Sequence, residues 1–191
     1  ANLTNMKRTR MIRITRSFAK HLRLAVAAGA VFVIGSASAA PLTWSGGGGN
    51  WDTVTTNWLD AGMAPVAFTN GDAVDFATSS AGTITVVGSV APLSTTVSAA
   101  SGNYTINGPG TIDGAGSFTK TSAGTLTITG TNTFTGKTSV QAGTLQLGNL
   151  TAGGLGITSV GVAGPLGATA AGPNATIELY NGVTLQLRGT N

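Results

Sequence analysis

The chain has no cysteine, and its one histidine, His21, sits near the N-terminus. Disulfide staples, thiolate chemistry and metal sites built on Cys or His are therefore excluded beyond residue 21. Nucleophilic catalysis of the Ser-His or Cys-His kind lacks its base for the same reason. Charge is scarce as well, with 8% of residues being Asp, Glu, Lys or Arg, and aromatics make up 6%. What charge there is lies unevenly. Lys7, Arg8, Arg10, Arg13, Arg16, Lys20 and Arg23 are seven of the ten basic residues. After them, Lys120, Lys137 and Arg188 face Asp52, Asp60, Asp72, Asp75, Asp113 and Glu178, three bases against six acids and a net charge of −3. No basic patch survives there to neutralise phosphates, so a nucleic-acid partner is excluded.

Long hydrophobic runs are also missing. The longest apolar stretch, Leu24 to Gly35, is twelve residues. As a helix it would reach about 18 Å, short of the ~30 Å hydrocarbon core of a bilayer. A basic run, a short apolar segment and then Ser36-Ala37-Ser38-Ala39-Ala40-Pro41 are the three parts of a secretory signal. Ala37-Ser38-Ala39 fits the small-x-small cleavage rule, and cutting after Ala39 keeps Pro41 away from the scissile bond. The absence of an adjacent arginine pair favours ordinary unfolded export over the twin-arginine route. Ala1 to Asn5 precede the first methionine, Met6, and read as an artefact of where the frame was opened.

What the remaining chain has is period. Gly124-Thr125-Leu126-Thr127-Ile128 returns nineteen residues later as Gly143-Thr144-Leu145-Gln146-Leu147. Each copy alternates polar and apolar, the pattern of a strand with one buried face. The template recurs at Gly82-Thr83-Ile84-Thr85-Val86, Gly102-Asn103-Tyr104-Thr105-Ile106, Ala175-Thr176-Ile177-Glu178-Leu179 and, shifted by one, Thr184-Leu185-Gln186-Leu187. A unit of about twenty residues has ~65 Å of contour at ~3.3 Å per residue, enough for one polygonal coil stacked ~4.8 Å above the last. One coil cannot bury its own apolar face; stacking supplies the other side. The predicted core is Ile84, Val86, Tyr104, Ile106, Leu126, Ile128, Leu145 and Leu147, with Phe118 and Phe134 at corners.

The stretch GAGSFTKTSAGTLTITGTNTFTGKTSVQAGTLQLGN, which begins at Gly114, resembles the autotransporter-associated β-strand repeat of bacterial passenger domains and related surface proteins. The close resemblance covers about 35 residues, and a looser one runs from Trp44 to the end. It implies an all-β, right-handed, single-stranded parallel β-helix, exported to the cell surface and associated with the outer membrane. It also implies a C-terminal membrane barrel, absent from this sequence, through which folding energy helps draw the passenger outward. The expected organisation is a signal peptide over 1–39, a Trp-containing N-terminal cap with the first strands over 40–78, and β-helix rungs over 79–191, best matched at 114–148. No polar cap and no barrel strands follow Arg188, which reads as truncation.

Two segments depart from the repeat. Trp44, Trp51 and Trp58 are spaced by seven, but Gly46 to Gly49 and the β-branched run Thr53 to Thr56 are incompatible with a helical heptad. Short strands and turns that plug the first coil are expected, because an uncovered sheet edge invites other chains. The alternative for these Trp residues is a sugar-stacking platform. Asn149 to Asn174, with Gly164-Pro165 and Gly172-Pro173 as turn signals, is expected to form one irregular rung plus a long loop.

Candidate chemistry is thin. Gly136-Lys137-Thr138 lacks the glycine a phosphate loop needs five positions before Gly136, and extends as strand. Asp72 and Asp75 are the nearest carboxylate pair, but a spacing of three puts them on opposite faces of a regular strand. Asn70-Gly71-Asp72 reads as a turn and Asp75 as a solvated strand residue. Gly108 to Asp113 meets a calcium nonapeptide at two positions in one copy, which chance explains. Lys120 and Lys137 read as solvated strand-end charges that discourage lateral aggregation. No catalytic, cofactor or metal-binding residue is therefore expected, and no enzyme activity. The expected role is a surface stalk or display scaffold whose partner is the secretion machinery, acting through the leader. An adhesin or glycan-binding module, with a surface glycan or protein as ligand, is the first alternative, and a fragment of a carbohydrate-active β-helix enzyme the second.

Overall fold

The computed structural model describes residues 41–80, 82–150, 163–168 and 177–189. The leader over 1–39 and most of the Gly- and Pro-rich segment fall outside these residues. The described chain is all strand and turn, wound into stacked coils that each give one strand to each of two large sheets.

The first coil contributes β1 (Pro41–Trp44) and β2 (Gly49–Trp51), followed by the short strands β3 (Trp58–Leu59) and β4 (Pro65–Val66). The second has β5 (Ala73–Asp75), β6 (Gly82–Val86) and β7 (Ser89–Val90). The third has β8 (Ser94–Val97), β9 (Tyr104–Asn107) and β10 (Thr111–Ile112). The fourth has β11 (Ser117–Lys120) and β12 (Thr125–Ile128), and the fifth β13 (Thr138–Val140) and β14 (Thr144–Leu150). The last described strands are β15 (Ile177–Leu179) and β16 (Thr184–Gly189).

One sheet runs β15-β13-β11-β8-β5-β1-β3-β4 and the other β16-β14-β12-β9-β6-β2, with β10-β7 on a third side. From β1 to β15 and from β2 to β16 every neighbour is parallel. Among the strands only β3 is reversed: it pairs antiparallel with β1 on one side and with β4 on the other, a β3–β4 hairpin laid along β1. This is a parallel β-helix, as the period requires.

Stacking explains the template residue by residue. Leu126 lies between Tyr104 and Leu145, and Ile128 between Ile106 and Leu147. All six are at most 1% exposed. The leading glycines stack at the corner between sheets. A Cβ on Gly124 would enter the Gly102 carbonyl, and one on Gly143, whose φ is 72°, would enter the Ala123 and Gly124 carbonyls. Glycine is thus required there by close approach as well as by the turn. Phe118 and Phe134 are both buried and stack at 6.0 Å with 24° between their planes.

Three details differ from the sequence expectation. First, Gly82 lies opposite Tyr104, not Gly102, so that Ile84 covers Ile106 and the step is twenty-two residues. Alternation fixes the face but tolerates a slip of two. The space that Gly82 leaves above Tyr104 is taken by Phe76, 5.5 Å away, while the Tyr104 hydroxyl donates to the Thr78 carbonyl at 2.6 Å. Second, Ile177-Glu178-Leu179 does not join the Gly-Thr-aliphatic column; it pairs with Thr138-Ser139-Val140 in the other sheet. Third, β14 pairs directly with β16 and β13 with β15, so no strand lies between them in either large sheet. Of the segment 149–174, residues 149–150, at the end of β14, and 163–168 are described. Gly164 bridges Asn132, and Leu166 is buried.

Candidate functional site

The titratable groups are the residues able to carry acid, base or ligand chemistry. Asp72 is held by the turn it belongs to: its backbone N–H donates to Thr69 O at 3.0 Å, and its carboxylate accepts from Thr69 N at 2.8 Å. Asp75 accepts from Ser98 Oγ at 2.8 Å, on the outward side of β5 opposite Thr96. Thr43, Asp75, Ser94 and Thr96, with Leu42 and Val74 beneath, line a shallow open groove of about 190 Å³. One carboxylate in an open groove cannot supply both the acid and the base of glycoside hydrolysis. Asp113 accepts from Gly114 N–H at 2.6 Å within its own turn and from Thr133 Oγ1, one coil on, at 3.1 Å. Among the described residues, no three or more His, Cys, Asp or Glu cluster as metal ligands would.

Asp52 is nearly buried and ties the loop after β2. Burial pushes its pKa up, but hydrogen bonds from Thr55 N, Val54 N and Thr55 Oγ1 outweigh that and hold the carboxyl below its usual range. Lys137 and Glu178 form an exposed ion pair at 2.6 Å between β13 and β15. The hydrogen bond to Glu178 raises the Lys137 pKa. Gly136-Lys137-Thr138 leads into a strand, as expected, and offers no helix N-terminus to a phosphate.

Lys120 overturns its expectation. It is 0% exposed and points inward, in the column Val97, Lys120, Val140, where two valines and a lysine stack in register. Its ammonium donates to Ser122 O at 2.5 Å, to Ser122 Oγ at 3.0 Å and to Ala142 O at 3.0 Å. Three N–H donors thus meet three oxygens, the minimum that makes a buried ammonium tolerable. No carboxylate shares the site, and burial lowers the lysine's pKa. The parity of Ser117-Phe118-Thr119-Lys120 carried the signal, since a lysine two positions after an inward phenylalanine must also point inward.

Asn132, also missed by sequence reasoning, is the second built polar position. It is 3% exposed, accepts from Ile112 N–H at 3.0 Å through Oδ1 and donates from Nδ2 to Pro165 O at 2.9 Å. Its own backbone N–H donates to Gly164 O at 2.9 Å. One amide therefore joins three successive levels on the third side of the coil.

The Trp residues are interior groups. Trp44, Trp51 and Trp58 are 0% exposed and form a cluster of edge-to-face and tilted ring contacts with Phe68 and Phe76, at centroid distances of 5.0 to 6.3 Å. The Trp44 indole N–H donates to Gly47 O at 3.0 Å. Those of Trp51 and Trp58 have no partner among the described residues. No ring face is open to a pyranose, so the sugar-stacking platform is ruled out at these positions.

The fold and its built polar positions thus define a single-stranded parallel β-helix. Residues 118–147 match the passenger-associated-transport-repeat, so the chain carries an autotransporter passenger repeat. No curated protein and no solved structure matches the chain. In the structure the matched segment opens inside β11 and closes inside β14, taking in β12 and β13. It therefore holds both partners of one stacking step in each large sheet: Phe118 beneath Thr138, and Leu126 beneath Leu145. The sequence repeat is the smallest unit that contains its own coil-to-coil contact.

Proposed function

We propose that this chain is an exported, surface-displayed β-helical passenger segment with a mechanical role, a stiff stalk or scaffold. One observation carries the reading. The matched repeat is spent on stacking, with Leu126, Ile128, Leu145 and Leu147 each at most 1% exposed within a continuous parallel ladder. A repeat that puts its apolar residues into the next coil lengthens a rod. The leader over 1–39 directs export, with cleavage after Ala39, and the cysteine-free chain stays threadable in an oxidising periplasm. In this reading 40–78 covers the first coil: the β3–β4 hairpin lies along β1, and three buried indoles fill the end of the core. Covering that edge prevents open-ended strand addition.

Export tests the proposal. The full chain, with an epitope inserted beside Val54, which is exposed, is expressed in a double-membraned bacterium. The expected product is extracytoplasmic and begins at Ala40 by mass spectrometry. Cytoplasmic retention with the leader intact would overturn the reading.

A further inference from the structure

The two large sheets show solvent different chemistry. The eight-stranded sheet presents Asp75 and Glu178 in one outward column, with Lys137 bonded to Glu178. On the six-stranded sheet every outward position from β2 to β14 is uncharged. The outward residues there are Asn50, Thr83 and Thr85, then Thr105 and Asn107, Thr125 and Thr127, and Thr144 and Gln146. Charge reappears only at Arg188, on β16.

These side chains form a lattice. Thr83, Thr105, Thr127, Gln146 and Gln186 lie in register in one column, and Thr125, Thr144 and Thr184 in the next. Rows repeat at ~4.8 Å between strands and at ~6.6 Å between alternate residues, and five strands make the column ~19 Å tall. Parallel pairing on both sides of each inner strand keeps the array in register and stiff. Thr127 Oγ1 lies 3.0 Å from the Gln146 amide, which reaches Gln186 at 2.8 Å. The hydroxyls of Thr83, Thr85, Thr105, Thr125, Thr144 and Thr184 have no protein partner among the described residues.

We propose that this face binds ice. The occupant follows by matching chemistry. A phosphate or an acidic surface needs several cations, and Arg188, already 2.8 Å from the Gln146 amide, is the one cation among the described outward residues of this sheet. A soluble sugar needs an aromatic platform, and no outward position of this sheet is aromatic. A neutral surface that is periodic in two dimensions, and rigid in both, calls for a partner that is the same. Crystalline water is neutral and planar and offers hydrogen-bond donors and acceptors at repeats close to the two spacings above. Each threonine supplies one hydroxyl to join that lattice and one methyl to lie against it, and across β6, β9 and β12 no charged or long side chain interrupts the rows.

Partition of the purified full chain into slowly grown polycrystalline ice tests this, with inhibition of ice recrystallisation as a second readout. The wild-type chain is expected to be enriched several-fold in the ice over a charge-matched control protein. Thr105→Lys with Thr144→Lys should abolish the enrichment, whereas Thr96→Lys with Thr119→Lys, on the other sheet, should leave it intact. If the first pair loses its β circular dichroism, Thr105→Val with Thr144→Val replaces it; this pair keeps the shape, removes two hydroxyls and should also lose enrichment. Exclusion of the wild-type chain from ice overturns the proposal. So does enrichment that survives in a folded variant of the six-stranded face, or retention of the chain on insoluble neutral polysaccharide in place of ice.

Discussion

The column Ile84, Ile106, Ile128, Leu147, Leu187 contains its own control. Leu147 and Leu187 are the same residue, in the same register position, one stacking step apart, yet Leu147 is 0% exposed and Leu187 49%. Leu147→Ala removes a side chain held between Ile128 and Leu187. Buried Leu→Ala changes cost about 2 to 5 kcal/mol, the transfer of the lost carbons plus the cavity they leave. At Leu187 half of the side chain is already in water and the space it vacates opens to solvent. Only about half the transfer term remains, and the expected cost is about 1 kcal/mol. Urea unfolding of the purified chain, followed by far-UV circular dichroism, reads the difference. With a slope of about 2 kcal/mol per molar, Leu147→Ala should lower the midpoint by about 1 to 2.5 M and Leu187→Ala by about half a molar. Equal shifts would refute the reasoning, because residue type and place in the column are shared and the predicted difference rests on burial.

Trp58→Ala, at a fully buried position 5.0 Å from Trp44, should cost about 3 to 5 kcal/mol and collapse the near-UV spectrum; a normally folded variant would remove the aromatic cluster from the core. Asn132→Ala strands the Ile112 N–H and the Pro165 carbonyl and should cost about 1 to 3 kcal/mol for each group left unpaired, measured by the same denaturation; no loss would mean that solvent reaches both groups. Lys120 makes stability depend on pH. Burial lowers its folded pKa below 10.5, so between the folded value and 10.5 the unfolded chain binds more protons and stability rises with pH. Lys137, raised by Glu178, acts in the opposite sense and loses its contribution as pH climbs through its folded value. In a Lys137→Gln background the midpoint should rise from pH 7 to pH 10, and adding Lys120→Met should flatten that rise; an unchanged slope would show that Lys120 is solvated.

The sequence by itself determined the class of fold and most of the core. A step near twenty residues and strict alternation put Leu126, Ile128, Leu145 and Leu147 inside, and the structure has them there in register. Parity is a local property of the strand, so it is legible without knowing what lies above or below. The same parity pointed Lys120 inward, but its charge argued for solvent. The oxygens that decide the matter belong to Ser122 and, one coil away, to Ala142.

Only the tertiary structure decided which apolar residue covers which. Ile84 rests on Ile106 instead of Tyr104 because Phe76, twenty-eight residues from Tyr104 in sequence, occupies that place. Ile177 joins the other sheet, although it shares the polar–apolar alternation of the Gly-Thr-aliphatic units and departs from them in having Ala175 where they carry glycine. The burial of the three indoles is likewise set by Phe68, Phe76 and the hairpin that closes over β1. Alternation repeats every two residues and states a face, whereas register is chosen by long-range packing that no single strand contains.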